Sequence, residues 1–445
     1  MMRATHLSGW GRYPIRECRV ATLRREEQLA DWSQTKTLIA RGNGRSYGDA
    51  ALNPELTLSM LARDRLLAFD SSRGVLSCEA GVLLADLLRV YAPQGWFPPV
   101  VPGTADVTVG GMIAADVHGK NHHRDGSFGA HVESFRLAGG NGDVLTCSRE
   151  ENLDLFRATL GGMGLTGVVL SACFRMCRIE SEHVRTETLG TPDLDATMET
   201  LAASNDWRYS VAWLDGSAEG GNLGRGLVSR GDFATRDDLS GQSSAYRSRA
   251  PVSRQLPTPA LLSGALNPAS VRLFDALYNR VGRFRKGPRL VHHTSFFFPL
   301  DRLQRWNRLY GRRGFVQYQC VLPVSQSSRG LRAILERVAT SDHIAYLAVL
   351  KLLGPQGEGM LSFPLSGYTL ALDFPMRPGT LELLDSLDEI TTAHGGRVYL
   401  AKDARCRPDH VQESYADLPS FVDVRQGATS GTREFSSVMS RRLGL

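Results

Sequence analysis

Residues 110–131 read Gly-Gly-Met-Ile-Ala-Ala-Asp-Val-His-Gly-Lys-Asn-His-His-Arg-Asp-Gly-Ser-Phe-Gly-Ala-His, the most informative stretch of the chain. Five glycines, a short apolar turn, one lysine and four imidazoles crowd a segment too irregular for ordinary core, so it is expected to be built around something bound. Two further glycine runs, Arg41 to Gly48 and Gly161 to Gly167, bracket it. Three separate backbone cradles suit a large ligand that carries phosphate.

With 445 residues the chain exceeds the usual size of one core, and two domains are expected. A hydrophobic fraction of 42% and a charged fraction of 22% are those of an ordinary globular protein and exclude general disorder. The formal net charge of +6 is spread in single residues and short pairs. Such a distribution fits a phosphorylated substrate or an anionic membrane surface and argues against a nucleic-acid partner. Seven scattered cysteines without a Cys-x-x-Cys pair read as reduced thiols. Residues Met1 to Arg16 lack the apolar core of a signal peptide, and no run of about 18 apolar residues occurs. A cytoplasmic location, with peripheral contact at the inner face of the cell membrane, is the expectation.

From Thr37 to Phe174 short strands alternate with glycine turns and short helices. Strands are expected near 38–40, 66–70, 75–79, 132–137 and 144–146, and helices near 83–92 and 153–160. Beyond Arg178 the strand patterns lengthen, at 207–214, 314–321, 344–352 and 368–374, with amphipathic helices at 331–339 and 381–393. The reading is α+β: a ligand-binding domain of residues 1–179, to which 397–445 return, and a second domain of 180–396 carrying a large, mainly antiparallel sheet. The polar stretch near 215–268, rich in Gly, Ser, Arg and Pro, is expected to be a mobile loop.

Gly162-Met-Gly164-Leu-Thr-Gly167 matches the dinucleotide fingerprint in letters, but a helical pattern precedes it and a strand follows, the reverse of a Rossmann site. Arg41-Gly-Asn-Gly-Arg-Ser-Tyr-Gly-Asp49 offers closely spaced N–H groups for a pyrophosphate and lacks the Gly-Lys-Ser/Thr ending of a hydrolytic P-loop. Asp116, His118, His122 and His123 contain enough ligand types for a metal, yet adjacent imidazoles do not easily face one ion, and no metal is assigned. Lys351 and Lys402 each follow apolar strand patterns, where a lysine ordinarily snorkels or pairs.

Pro102-Gly-Thr-Ala-Asp-Val-Thr-Val-Gly-Gly111, with the Arg41–Asp49 loop, resembles the FAD-binding (PCMH-type) fold of the vanillyl-alcohol oxidase type. More narrowly, Val117-His-Gly-Lys-Asn-His-His123 with Ser127-Phe-Gly129, Gly161–Gly167, Gly314-Phe-Val-Gln-Tyr-Gln319 and Tyr399-Leu-Ala-Lys-Asp-Ala-Arg405 resembles the decaprenylphosphoryl-β-D-ribose oxidase family, with matches from Trp10 to Leu443. The resemblance implies FAD held by Trp10, Gly42, Asn43, Gly44, Arg45, Ser46, Tyr47, Gly103, Thr104, Val107, Thr108, Gly110, Gly111, Ala115, His118, Gly119, Gly164, Gly167 and Val169, together with Tyr399 and Lys402. Many related flavoproteins attach FAD through a histidine in the first glycine loop. Arg45 stands there instead, so the cofactor is expected to be non-covalent.

The same resemblance implies oxidation of the 2-hydroxyl of a polyprenyl-phosphate-linked ribose to the 2-keto sugar, the first half of an epimerisation to arabinose. A short-chain dehydrogenase/reductase partner completes it, and a quinone or oxygen accepts the electrons. Lys402 and Tyr399 map as catalytic residues, and Lys120, Lys351, Gln317, Gln319 and Thr369 as substrate-binding ones. Ala371 and Thr369 stand where relatives can carry Cys and Asn, a change in the pocket wall. The alternatives are a soluble carbohydrate or alditol oxidase on the same fold, and a noncatalytic flavin- or lipid-binding subunit of a dehydrogenase.

Overall fold

The structure, a computed structural model, describes residues 3–32, 35–240, 256–257, 266–273, 287–428 and 433–445, with backbone alone for 30–32, 240 and 256–257. Two five-stranded sheets make the glycine-rich half. The first runs in the order Arg3–Ser8, Ile15–Thr22, Thr57–Ser59, Thr37–Arg41, Glu434–Phe435, and its last strand lies parallel to Thr37–Leu38. The second is antiparallel throughout: Leu66–Asp70, Val75–Glu79, Val168–Arg175, Val132–Ala138, Val144–Ser148. Leu38, Leu58, Val168, Leu170, Ala138 and Phe435 form one buried cluster between them. The helix expected near 83–92 spans Leu84–Tyr91, where Leu84, Leu87, Leu88 and Tyr91 fall on one face at helical spacing and are buried.

The C-terminal segment locks the loops of the site together. Arg442, on the last helix (Val438–Leu443), donates to Asp49 at 3.0 Å and to Asp403 at 2.8 Å. Tyr47 N–H donates to the Ala401 carbonyl at 2.9 Å. A residue of the first glycine loop and the residue before Lys402 are thus hydrogen-bonded neighbours.

The other half is an eight-stranded antiparallel sheet in the order Arg289–His292, His183–Thr191, Gly226–Phe233, Tyr209–Leu214, Leu347–Leu353, Gly367–Pro375, Phe315–Pro323, Arg397–Val398. Its register decides what faces the ligand. Gln317 pairs with Asp373, Gln319 with Ala371 and Val321 with Thr369, while Val349 and Lys351 pair with Ala371 and Thr369 from the other side. Because side chains alternate along a strand, these positions share one face. The opposite face, with Tyr318, Cys320, Leu322, Leu350, Leu370 and Leu372, is dry core against helices Leu194–Ala202, Val324–Ala339 and Thr380–Ala393.

Three expectations shift. The helix expected from Leu331 begins at Val324, because its first two turns are polar and carry no apolar period: Ser327 there is buried and donates to the Leu322 carbonyl at 2.8 Å. Arg397–Val398 closes the edge of the large sheet, so the return to the first half starts after it. The mobile loop placed near 215–268 is wrong for its first part. Gly226–Phe233 is an interior strand paired along its length with His183–Thr191 and with Tyr209–Leu214. Its glycine content reflects close backbone approach: a Cβ on Gly226 would stand 2.2 Å from the Trp213 carbonyl oxygen. Residues 241–255 and 258–265 of that stretch lie outside the described residues.

Candidate active site

The two halves enclose a cavity of about 600 Å³, the size of a cofactor site. On one side it is made of backbone. Strand Thr37–Arg41 delivers the loop 42–47, and among the described residues the N–H groups of Asn43, Gly44, Arg45 and Ser46 donate to no protein acceptor. The second glycine loop packs directly against the first: a Cβ on Gly42 would lie 2.2 Å from Thr108 Oγ1, and Asn43 Nδ2 donates to the Asp106 carbonyl at 2.8 Å. Thr108 Oγ1 also accepts from Gly111 N–H at 3.2 Å, starting the helix Val109–Ala114. Gly103 faces the opening, where an added Cβ would meet nothing within 4 Å. Arg45 is ion-paired to Asp106 at 2.9 Å and lies 4.4 Å over the Trp10 ring, so its guanidinium is held at the rim.

On the other side the cavity is made of side chains. Gln319 Nε2 donates to Thr369 Oγ1 and to His118 Nε2, both at 3.1 Å, while the Thr369 hydroxyl donates to the Cys320 carbonyl at 2.8 Å. His118 Nε2 therefore accepts, and its proton sits on Nδ1, 3.4 Å from Lys351 Nζ. That contact is a hydrogen bond when Lys351 is a free amine. Burial brings Lys351 down to about 8, and burial followed by the Lys351 charge holds His118 well below its ordinary value.

Lys120 donates to the Phe296 carbonyl, lies 4.3 Å over that ring, and is lowered to about 7 by burial and then by Lys351. Lys402 Nζ stands 3.7 Å over the Tyr47 ring. Its pKa is pulled down by burial and pushed back up by the Asp373 carboxylate. Asp373, fully buried, accepts from Gln317 Nε2 and from Tyr310 Oη, the latter at 3.1 Å, and is raised by burial.

Of the residues that the resemblance assigns to cofactor, substrate or catalysis, all but Thr369 line this one cavity. Thr369 is a correction: its short side chain is buried behind Gln319 and its hydroxyl is spent on that amide and on the Cys320 carbonyl, so it shapes the wall without touching the space. Tyr399 lines the cavity, but its hydroxyl donates to the Ala115 carbonyl at 2.8 Å and its ring stacks on Phe363 at 4.5 Å. It tethers the C-terminal segment to the glycine helix. Asp116 accepts from Ser127, Gly129 N–H and Ser362; His122 Nδ1 accepts from Gly354 N–H; His123 Nε2 contacts the Trp207 carbonyl. Each has a different partner, and the four do not converge on one point.

Sequence reasoning missed Asp106, Asp301, Trp213, Phe297, Leu300 and Trp306, which also line the cavity. Asp301 accepts from Ala105 N–H at 2.8 Å and bolts the second half to the glycine loop, across 196 residues of chain. The aromatic run Phe296–Phe298 was the available signal for that wall. Gly164 and Gly167 border the cavity from a turn preceded by helix Leu153–Thr159 and followed by strand Val168–Arg175, the order that excludes a Rossmann site.

Free N–H groups on two touching loops, an open Gly103 and a cationic far wall fit a dinucleotide with its pyrophosphate on the loops and its reactive ring toward the lysines. Comparison with known proteins agrees. A family described as "FAD binding domain" matches residues 20–148. The decaprenylphosphoryl-β-D-ribose oxidase of Mycolicibacterium smegmatis is 38% identical over 419 residues, 92% of this chain and 89% of that protein. An L-gulonolactone oxidase of Bos taurus is 30% identical over 138 residues, 31% of each chain, and cytokinin dehydrogenase 9 of Oryza sativa subsp. japonica is 32% identical over 157 residues, 34% of this chain and 30% of its own. The short matches span about a third of this chain and the long one nearly all of it. This chain is an FAD-dependent oxidoreductase, and it belongs to the decaprenylphosphoryl-β-D-ribose oxidase family.

Proposed function

We propose that the protein oxidises the 2-hydroxyl of a ribose attached through phosphate to a polyprenyl lipid, giving the 2-keto sugar. The observation that carries this reading is the composition of the far wall. Three lysines (Lys120, Lys351, Lys402) and two amides (Gln317, Gln319) share the cavity with Trp213, Phe297, Leu300, Leu303 and Trp306. A sugar phosphate needs the cations and amides, and a lipid tail needs the apolar rim.

FAD, when bound, supplies the hydride acceptor. It would be held non-covalently by Gly42–Tyr47 and Gly103–Gly111, since Arg45 is engaged with Asp106 and Trp10 and offers no attachment chemistry. Gln317 and Gln319 are fixed by Asp373 and Thr369 and orient the hydroxyls. Lys402 contributes positive charge where negative charge accumulates in the reaction. The alcohol proton goes to Lys351 Nζ in its amine form, which burial makes accessible at about 8 and which gives up its 3.4 Å contact with His118 Nδ1 to take it.

The product would be the substrate of a short-chain dehydrogenase/reductase that completes the epimerisation to arabinose, with a quinone or oxygen as the final electron acceptor. Among the described residues no helix is long and apolar enough to cross a membrane, which suits peripheral contact at the inner face. Turnover on polyprenylphosphoryl ribose, followed by mass spectrometry of the keto product, tests the reading. Turnover of free pentitols with peroxide release, and none of the lipid-linked ribose, would establish a soluble alditol oxidase in its place.

A further inference from the structure

Away from the cavity, at the outer edge of the large sheet, Glu182, His292 and His293 each offer one ligand atom within 4.8 Å of the other two, the only such group of three among the described residues. The chain brings them together from 110 residues apart. Strand His183–Thr186 pairs with Arg289–His292, which sets His183 opposite His292 and places Glu182 beside the end of the strand. His292 and His293 are adjacent, and in a continuous strand their rings would point to opposite faces. Here the strand ends at His292 and a short helix, His293–Phe297, begins, so the alternation breaks and the rings lie 4.2 Å apart at 35°.

The hydrogen bonding of His293 leaves one ring nitrogen free for an ion, and that of His292 has a second partner that lets its proton move to free the other. His293 Nδ1 sits 3.3 Å from the Glu182 carbonyl oxygen, which takes its proton and leaves Nε2 with the lone pair. Thr294 Oγ1 lies 2.8 Å from His292 Nδ1 and can take its proton when Nε2 is occupied; Thr294 N–H, at 3.3 Å, caps the same nitrogen otherwise. His292 is 7% exposed, and its Nε2 is buried without a partner, 3.8 Å from Glu182 Oε1. Two atoms each about 2.1 Å from one tetrahedral ion stand about 3.4 Å apart, a small side-chain adjustment away. His183 Nε2 is likewise buried and unpartnered, and its ring lies 5.8 Å from that of His292.

We propose that Glu182, His292 and His293 form a structural site for a divalent transition metal of the zinc class, with His183 or water completing the tetrahedron. Two imidazoles and one carboxylate are the donor set that zinc accepts and that calcium or magnesium does not favour. The site pins the N-terminus of helix His293–Phe297. The other end of that helix carries the Phe296 carbonyl that accepts from Lys120 and the Phe297 ring that lines the cavity. The metal is outside the redox centre and fixes one of its walls.

The test is the metal content of the tag-free, full-length holoenzyme by mass spectrometry after equilibration with micromolar zinc and dialysis, with zinc-edge X-ray absorption to identify the donors. The expected result is about one zinc per chain with nitrogen and oxygen donors only. Glu182→Gln and His292→Gln should each weaken zinc at least about tenfold against a chromophoric chelator while FAD content stays unchanged. If His292→Gln fails to fold, Glu182→Gln, whose side chain is 34% exposed, decides. No bound zinc in the wild-type protein, or zinc retained in full by Glu182→Gln, overturns the proposal.

Discussion

The two walls of the cavity are built from different materials. The nucleotide wall is backbone: the loops 42–47 and 103–111 touch through Gly42 and Thr108 and present N–H groups with few side chains in the way. The sheet wall is side chain: Gln317, Gln319, Val349, Lys351 and Ala371 project from one face of three neighbouring strands. A backbone wall binds what many flavoproteins share, and the relatives that match over about a third of this chain are oxidases and dehydrogenases of different names. A side-chain wall sets which alcohol is oxidised, and it can change one residue at a time without disturbing the cofactor.

Substitutions on each wall should therefore fail in different ways. The largest effect is expected from Lys402→Ala, which removes the cation over Tyr47: turnover should fall about 10²- to 10³-fold with FAD content intact, read by steady-state kinetics on holoenzyme. Gly103→Val addresses the opposite wall. Its added atoms meet no protein within 4 Å of the Cβ, so the chain should fold and FAD should bind at least about tenfold more weakly by fluorescence titration. If Gly103→Val binds FAD normally but loses turnover, the division into two walls is wrong.

Asp373→Asn sharpens the sheet wall. The Asp373 carboxylate raises the Lys402 pKa against burial, so its loss lowers that pKa further. An ammonium required for turnover is then lost at lower pH, and the alkaline limb of the kcat profile should move toward acid. A limb that stays put would separate Lys402 from the titration. Smallest is Thr369→Val, which costs Gln319 one acceptor at 3.1 Å: about 1 kcal/mol, or roughly fivefold in KM, with kcat little changed.

The nucleotide wall was the more legible of the two in sequence, because a glycine loop is local and its spacing is its structure. On the sheet wall, Gln317 and Gln319 came from the family resemblance, and their spacing on one strand is what sets both on the same face. Asp373 could not be read in the sequence, since only the register places it opposite Gln317 and within reach of Tyr310, 63 residues away. Thr369 was misplaced for the same reason: it shares the face, but pairing with Val321 and Lys351 sets its small side chain behind Gln319. Strand Gly226–Phe233 was hidden by composition, since glycines that permit close packing in a sheet read as loop when the neighbouring strands are not in view.

The most direct test of the central claim is anaerobic mixing of the purified holoenzyme with polyprenylphosphoryl ribose while the visible flavin band is monitored. The band should bleach in a single turnover, Lys402→Ala should slow the bleaching while keeping the band, and free pentitols should leave it unchanged. A flavin that pentitols reduce and the lipid-linked ribose does not would contradict the claim.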